Sequence, residues 1–400
     1  MIRKILLTTL TVLVSVMAYA QDYQASVDKF VKASGINPGS VAVKIVDLES
    51  GEILGSHNST GSLVPASIMK TVSIATLLEE VGPDYRYSTR VYIDGPLDMG
   101  ILRGNLIVEG AGDPSVNSAP EPCGTDINKE IVDIIQSMGI NKIEGKIIVD
   151  NNEFAGPSRP DSWQVPDFKE SYGTGFHAFN YQNNASGKKS VENPASVFVR
   201  HLTSTLHSAG VSVDNKELGE GQRTQIFAHL SPQIDEIMRS CMMRSDNLFA
   251  ESFLRTYGKM QGGDGSTADA AGREYEKWVG KEVPLEGVKI IDGSGLSRSN
   301  RVTADFMTAV LSNMSEDATY ASFFPLAGQE GTLRKFLAET PLDSYIAMKT
   351  GSMNGIQCYA GYKLDEDYAP THTVVIIMND LNNRAVAKKA AEDMLLEIFE

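Results

Sequence analysis

The stretch "VPASIMKTVSIATLLEE", running from Val64 to Glu80, places a serine and a lysine three residues apart just where the segment turns apolar. Its apolar spacing predicts a helix, and residues three apart share a helix face, so Ser67 and Lys70 meet there. A serine hydroxyl is a weak nucleophile until a neighbouring base takes its proton. Lys70 can be that base only when neutral, which burial and a second nearby cation favour. The positive end of the helix dipole favours the negative charge that develops at Ser67. The same spacing recurs at Ser26-Lys29 and Ser186-Lys189, so the pair by itself reads equally as coincidence.

Working outward, "SVAVKIVDLESGEILGSHN" precedes this segment as two strand-like runs around Glu49-Ser50-Gly51, a hairpin pattern. Near the other end come "SYIAMKTG", "IQCYAGYKL" and "THTVVIIMND", the first two joined through the turn dipeptide Asn354-Gly355. An amphipathic helix pattern, "NNRAVAKKAAEDMLLEIFE", closes the chain. Both ends therefore contribute to one sheet, and "SPQIDEIMRSCMMRSDNLFAESFLRTYGK" (231–259) supplies helical cover. From Tyr85 to Ala228 the chain is rich in Gly, Pro, Asn and short strand-like runs such as "GNLIVEG" and "KIEGKIIVD". The expected fold is α+β. Residues 21–84 and 229–400 form an antiparallel sheet with helices on both faces, interrupted by an inserted domain at 85–228. A length of 400 residues, too great for one simple core, fits that division.

The first twenty residues, "MIRKILLTTLTVLVSVMAYA", combine a basic start at Arg3 and Lys4, an apolar run and an Ala-Tyr-Ala cleavage site. This is a secretory signal peptide pattern, with cleavage expected before Gln21. No second membrane-spanning run follows, so the mature chain is expected outside the cytoplasm, in the periplasm or cell envelope, without a transmembrane anchor. The net charge of −15 argues against nucleic acid and anionic membrane surfaces as partners. Cys123, Cys241 and Cys358 match no metal spacing and read either as buried thiols or as containing one disulfide pair. The six histidines show no metal spacing either, so neither a metal nor another cofactor is expected.

Two further motifs bear on Ser67. Ser245-Asp246-Asn247 opens the helix-like run "NLFAESFLR"; it reads as an N-cap or as a second catalytic serine with a carbonyl-binding amide. Its Ser-x-Asn spacing recurs at Ser56, Ser115 and Ser352. Lys349-Thr350-Gly351-Ser352 occurs once, at the end of a strand. It is either an ordinary strand end or a substrate edge. In the second reading Gly351 leaves room for an extended substrate. Lys349 and Thr350 bind a carboxylate, and the Ser352 and Ser67 N–H groups form an oxyanion hole.

The ordered triplet, Ser-x-x-Lys then Ser-Asp-Asn then Lys-Thr-Gly, is far more specific than any part. It is the signature of class A β-lactamases and penicillin-binding proteins. With "GNLIVEGAGDPS", "SDNLFAE", "DGSGLSRSNRVT" and "PLAGQEGTLR" beside it, the sequence resembles the class C penicillin-binding proteins, D-alanyl-D-alanine carboxypeptidases of the penicillin-binding protein 4 type. The resemblance implies a β-lactamase-like transpeptidase domain. It also implies a Ser67 acyl-enzyme with Lys70, Ser245, Asn247 and Lys349 as catalytic partners, peptidoglycan stem peptides as substrate and β-lactams as covalent inhibitors. The long insertion excludes a compact β-lactamase layout. It is nevertheless shorter than in the longest members, because "FNYQNNASGKKSVENPASVFVRHL" leads almost directly into a helix.

The resemblance also places "WQVPDFKESYGTGF" over the site, with Asp167 pairing an amine of the substrate's third residue and Tyr172 forming an apolar wall. The same segment reads as a surface loop held by Trp163. Arg298 in "GSGLSRSN" faces the groove or an acidic group of the substrate, or makes a structural ion pair. Rivals to a D-Ala-D-Ala carboxypeptidase, with or without endopeptidase action, are a β-lactamase or esterase on the same fold and a non-catalytic cell-wall-binding relative.

Overall fold

A computed structural model describes residues 23–118, 126–219, 221–281 and 283–400. The expected signal peptide and Cys123 lie outside the described residues. Five strands, β1 (Val41–Asp47), β2 (Ile53–His57), β3 (Ile346–Met353), β4 (Ile356–Leu364) and β5 (Pro370–Met378), form one antiparallel sheet in the order β3-β4-β5-β1-β2. The register Val41↔Met378 through Asp47↔His372 joins the two ends of the chain at the sheet's centre. The central strands read as near-continuous apolar runs because both of their faces are covered. Ala42, Cys358, Ala360, Tyr362, Val375 and Ile377 face one core; Val43, Ile45, Tyr359, Val374 and Ile376 face the other.

The first core is helical. Its central element is α1 (Met69–Val81), in which every residue from Met69 to Leu78 is buried. Around it pack α2 (Ile234–Arg244), α3 (Asn247–Met260), α4 (Thr267–Gly280) and α5 (Ala304–Asn313). The opposite face is covered by a helix at residues 23–33, through Val27, Phe30 and Val31. With it packs α6 (Arg384–Phe399), through Ala387, Ala391, Met394 and Leu395. The sheet thus carries helices on both faces, as the sequence implies.

Between α1 and α2 the chain builds a separate core from Val91, Leu106, Val108, Ile131, Ile135, Phe198 and Leu202. Of its two four-stranded sheets among the described residues, one runs Thr224–Leu230, Ser88–Ile93, Leu106–Glu109, Ile147–Asp150, so the returning strand straddles the boundary read at 228. Phe176 leaves this region and packs in the helical core. Between Asn184 and Pro194 there is only a short ribbon, Ala185–Ser186 against Lys189–Ser190, before the helix Pro194–Ser208.

Among the described residues, no helix is long and apolar enough to cross a membrane. Cys241 and Cys358 are buried free thiols.

Candidate active site

The nucleophile candidate sits on a forced turn. Ala66, buried, has a φ of +49°, a left-handed conformation that costs a non-glycine residue of order 1–3 kcal/mol. Ser67 follows in the 3₁₀ turn Ala66–Ile68 that feeds α1. One turn on, Lys70 is fully buried. Its Nζ lies 2.9 Å from Ser67 Oγ, 2.6 Å from Asn247 Oδ1 and 2.6 Å from the Ser294 carbonyl.

The stretch 231–259 does not form one helix. It breaks at Ser245, which ends α2 in the left-handed conformation (φ +58°, ψ +43°) while its N–H bonds the Cys241 carbonyl. Asp246 starts α3 by accepting the Phe249 N–H, which confirms the capping role for Asp246 alone. The break turns Ser245 to Lys349, whose Nζ is 2.9 Å from Ser245 Oγ. Asn247, one residue later, faces Lys70 and donates its Nδ2 to the Tyr172 carbonyl at 2.8 Å.

Lys349 lies in β3, an edge strand of the five-stranded sheet. The two-residue turn at Asn354-Gly355 sets a register that leaves the main-chain groups of Thr350 and Ser352 pointing away from β4. Ser352 is exposed. Lys349 itself is fully buried, its Nζ also donating to the Thr350 carbonyl at 2.7 Å, so it presents no free ammonium to the groove. The Thr350 hydroxyl bonds that of Thr332 at 2.8 Å. Gly351 answers a different need from the expected one: an added Cβ would stand 2.5 Å from the Pro65 carbonyl oxygen. The glycine lets the turn carrying Ser67 press against β3.

Burial lowers the pKa of both lysines. Lys349 goes down well below the ordinary lysine value, first by burial and then by repulsion from Lys70. Lys70 is lowered by burial alone among its main causes. Opposing that shift is the negative charge available on Cys241, Asp292, Asp246 and Glu251. The second cation invoked to neutralise Lys70 is therefore secondary to desolvation.

Asp167 and Tyr172 lie together, the Tyr172 hydroxyl donating to Asp167 Oδ1 at 2.9 Å. Tyr172 is 49% exposed and presents this polar pair rather than a purely apolar wall. Its carbonyl's bond to Asn247 brings the loop to the groove. Among the described residues Arg298 makes no ion pair: it donates to the Asn354 carbonyl, at the tip of the β3–β4 turn. Sequence reasoning missed four participants: Ser294, Glu251, Asp292 and Thr332. Asp292 accepts from Trp163 Nε1, the Gly295 and Ser297 N–H groups and Asn300 Nδ2, which ties the loop of Trp163 to the segment carrying Ser294. Stretches holding these residues resemble the family, but only the tertiary contacts reveal their tasks. Among the described residues no cluster of His, Cys, Asp or Glu is arranged to hold a metal.

The chain matches the D-Ala-D-Ala carboxypeptidase 3 (S13) family over residues 23–187 and 182–398. It is 28% identical over 206 residues to penicillin-sensitive carboxypeptidase A of Dictyostelium discoideum, covering 49% of this chain and 39% of that protein. Against the D-alanyl-D-alanine carboxypeptidase of Actinomadura sp. it is 24% identical over 430 aligned positions, covering 85% and 78%. The crystal structure of penicillin binding protein 4 (dacB) from Haemophilus influenzae superposes with a TM-score of 0.80 at 18% identity, over 94% of this chain and 99% of that one, which shows a shared fold.

Proposed function

From the premise that this chain belongs to the D-Ala-D-Ala carboxypeptidase 3 (S13) family, we propose that it is a serine-type carboxypeptidase acting through a Ser67 acyl-enzyme on peptidoglycan stem peptides ending in D-Ala-D-Ala, and that penicillins acylate the same serine. The observation that carries this reading is the convergence of the three motifs. Ser67 and Ser245 each meet a fully buried lysine at 2.9 Å, and Asn247 joins Lys70.

In the proposed cycle, neutral Lys70 takes the Ser67 proton as Oγ bonds to the penultimate D-Ala carbonyl carbon. The oxyanion sits between the N–H groups of Ser67 and Ser352. When the C–N bond breaks, the proton passes from Lys70 by way of Ser245 to the departing amine, while Lys349 orients the Ser245 hydroxyl. Water then attacks the ester, with Lys70 again as base, and Ser67 is regenerated. The outward main-chain groups of Thr350 and Ser352 suit an extended peptide added along β3. The Thr350–Thr332 hydroxyl pair suits its terminal carboxylate.

The Asp167–Tyr172 pair suits an amine on the substrate's third residue. For Arg298, a role at the edge of the groove would work through the β3–β4 turn. We further take the region 85–228 as the unit that shapes substrate access. The two family matches meet at 182–187, where this chain has only the short ribbon, and that supports a shortened insertion. An exported, cell-envelope location fits the substrate.

The test is labelling of the purified chain with fluorescent penicillin beside Ser67→Ala. A lasting adduct on the native protein, absent from the variant, is the expected result. An adduct that persists in Ser67→Ala overturns the assignment of the nucleophile. Rapid hydrolysis of the penicillin without accumulation moves the reading to a β-lactamase.

A further inference from the structure

The segment Gly293-Ser294-Gly295 lies behind Lys70 and is gripped by main chain on two sides. A Cβ added at Gly293 would stand 2.6 Å from the Ala250 carbonyl oxygen, and one at Gly295 would stand 1.9 Å from that of Ala66. Ser73 Oγ donates to the Gly293 carbonyl at 3.2 Å. The Ser294 carbonyl points at Lys70 Nζ, and the Ser294 N–H points the other way, to Glu251 Oε1 at 2.9 Å. Glu251 is buried on α3, and its Oε2 has no hydrogen-bond partner.

Two buried acids thus flank the segment with unequal support. Asp292 receives four donors on its two oxygens. Glu251 has donors from Ser294 alone and keeps an orphaned Oε2, a setting that favours the neutral acid. Burial, reinforced by the nearby Asp292, pushes its pKa up to about 8.

We propose that Glu251 is a positioning residue for acylation: as a neutral acid it fixes the Ser294 N–H, and so the carbonyl that holds Lys70, without placing negative charge behind the base. The role rests on Ser67 and Lys70 being the acylating pair. Lys70 needs its neutral form to take the Ser67 proton, and every ionised acid around it favours the charged form. Asp246 is bound by the Phe249 N–H and Asn183 and stands 3.5 Å from Arg244. Asp292 is held by the donors above. Glu251 is the acid whose charge is left to vary. The groups facing it are Asp292, Arg255 one turn along α3, and Lys70 on α1. Beyond Lys70 stand Cys241 on α2, kept a thiol with its pKa up at about 12, and Lys349 on β3.

The sign follows. As pH rises through about 8, Glu251 loses its proton and Lys70 holds its own more tightly, so the rise of acylation with pH is drawn out to higher pH. Glu251→Gln keeps an acceptor for the Ser294 N–H and cannot ionise. Glu251→Ala loses the acceptor, and Glu251→Asp is one methylene too short for it.

The experiment measures the second-order rate of acylation by fluorescent penicillin between about pH 6 and 10, with thermal melts alongside. Glu251→Gln is expected within about threefold of wild type at neutral pH and to complete its rise with pH earlier than wild type. Glu251→Ala is expected to be slower by about tenfold or more at every pH. Should the alanine variant fail to fold, Glu251→Asp takes its place, expected slow with the drawn-out rise retained. A glutamine variant as slow as alanine or aspartate, or one whose rise with pH is as drawn out as the wild type's, overturns the role of Glu251 alone. A wild-type chain that takes no label overturns the Ser67 reading, and Glu251's role falls with it.

Discussion

Two serine–lysine pairs line the groove at the same separation, 2.9 Å, but in opposite electrostatic settings. Ser67 and Lys70 belong to one turn of chain, and Lys70 is surrounded by Asp292, Asp246 and Glu251. Ser245 and Lys349 come from a helix break and an edge strand, and no carboxylate offsets the burial of Lys349. Positive charge is thus better tolerated at Lys70 than at Lys349, so a proton entering the groove settles on Lys70 first. The difference suits Lys70 to accept and release the proton, and Lys349 to orient the Ser245 hydroxyl.

The sharpest way to break this comparison is to remove each amine in turn. Lys70→Met should lower penicillin acylation by about 10³-fold or more, the upper range for loss of a general base. Lys349→Met should cost less, about 10–100-fold, because Ser245 keeps its hydroxyl. Stopped-flow acylation rates decide, and the reverse order would mean that the proton is taken at the second pair. The pH profile sharpens the same point. Burial lowers the Lys70 pKa from 10.5, so the neutral base appears, and acylation rises, at lower pH than an exposed lysine would allow. A rise centred at or above 10.5 would contradict the environment described.

Asn247→Ala should follow, with roughly a tenfold loss. It removes one Lys70 partner and frees the Tyr172 carbonyl, so KM for peptide should rise as kcat falls.

Gly351→Ala comes next. Its methyl group meets the Pro65 carbonyl, so the Ser67 turn must shift away from β3, at about 1–3 kcal/mol in stability and a several-fold slower acylation. A melt and an acylation rate unchanged from wild type would show that the turn gives way freely.

The smallest expected effect lies beneath both pairs. Glu274, fully buried on α4, has its pKa raised by burial from 4.5 to about 8. A raised folded-state value means its contribution is complete below pH 4.5 and is lost as pH rises toward about 8. Glu274→Gln should therefore raise the melting temperature by a few degrees at pH 8 relative to wild type, and by less at pH 5. Equal shifts at both pH values would show that Glu274 is ionised in the folded state.

The contrast between the pairs also explains what sequence revealed. Ser67 and Lys70 are legible because helix geometry is local, and the hairpins are legible through Asn354-Gly355 and alternating apolar runs. Ser245 is legible through its motif, but the break that carries it is not, since "MRSDNLF" continues a helical pattern straight through the point where the chain turns left-handed. Gly351 was legible as a required glycine, but the atom it makes room for belongs to Pro65, far away in sequence. Ser294, Glu251 and Asp292 act through a carbonyl, an N–H acceptor and a four-donor knot, none of which has a spacing signature. Arg298 reads as a groove residue or an ion-pair partner and proves to hold a turn carbonyl, because a guanidinium is satisfied by whichever acceptor the fold brings near.

The pairing of β1 with β5 couples activity to the order in which the chain is completed. Strands between residues 88 and 230 find their partners within that span, so this region can organise while the rest is still being made. The groove cannot, because its parts are spread from Ser67 to Ser352 and its sheet closes only when β5 reaches β1, a contact of very high sequence separation. A nascent or C-terminally clipped chain would hold a finished insert beside an unassembled groove. Hydrolytic competence is therefore a late event in this molecule's life, gained when its last strand arrives.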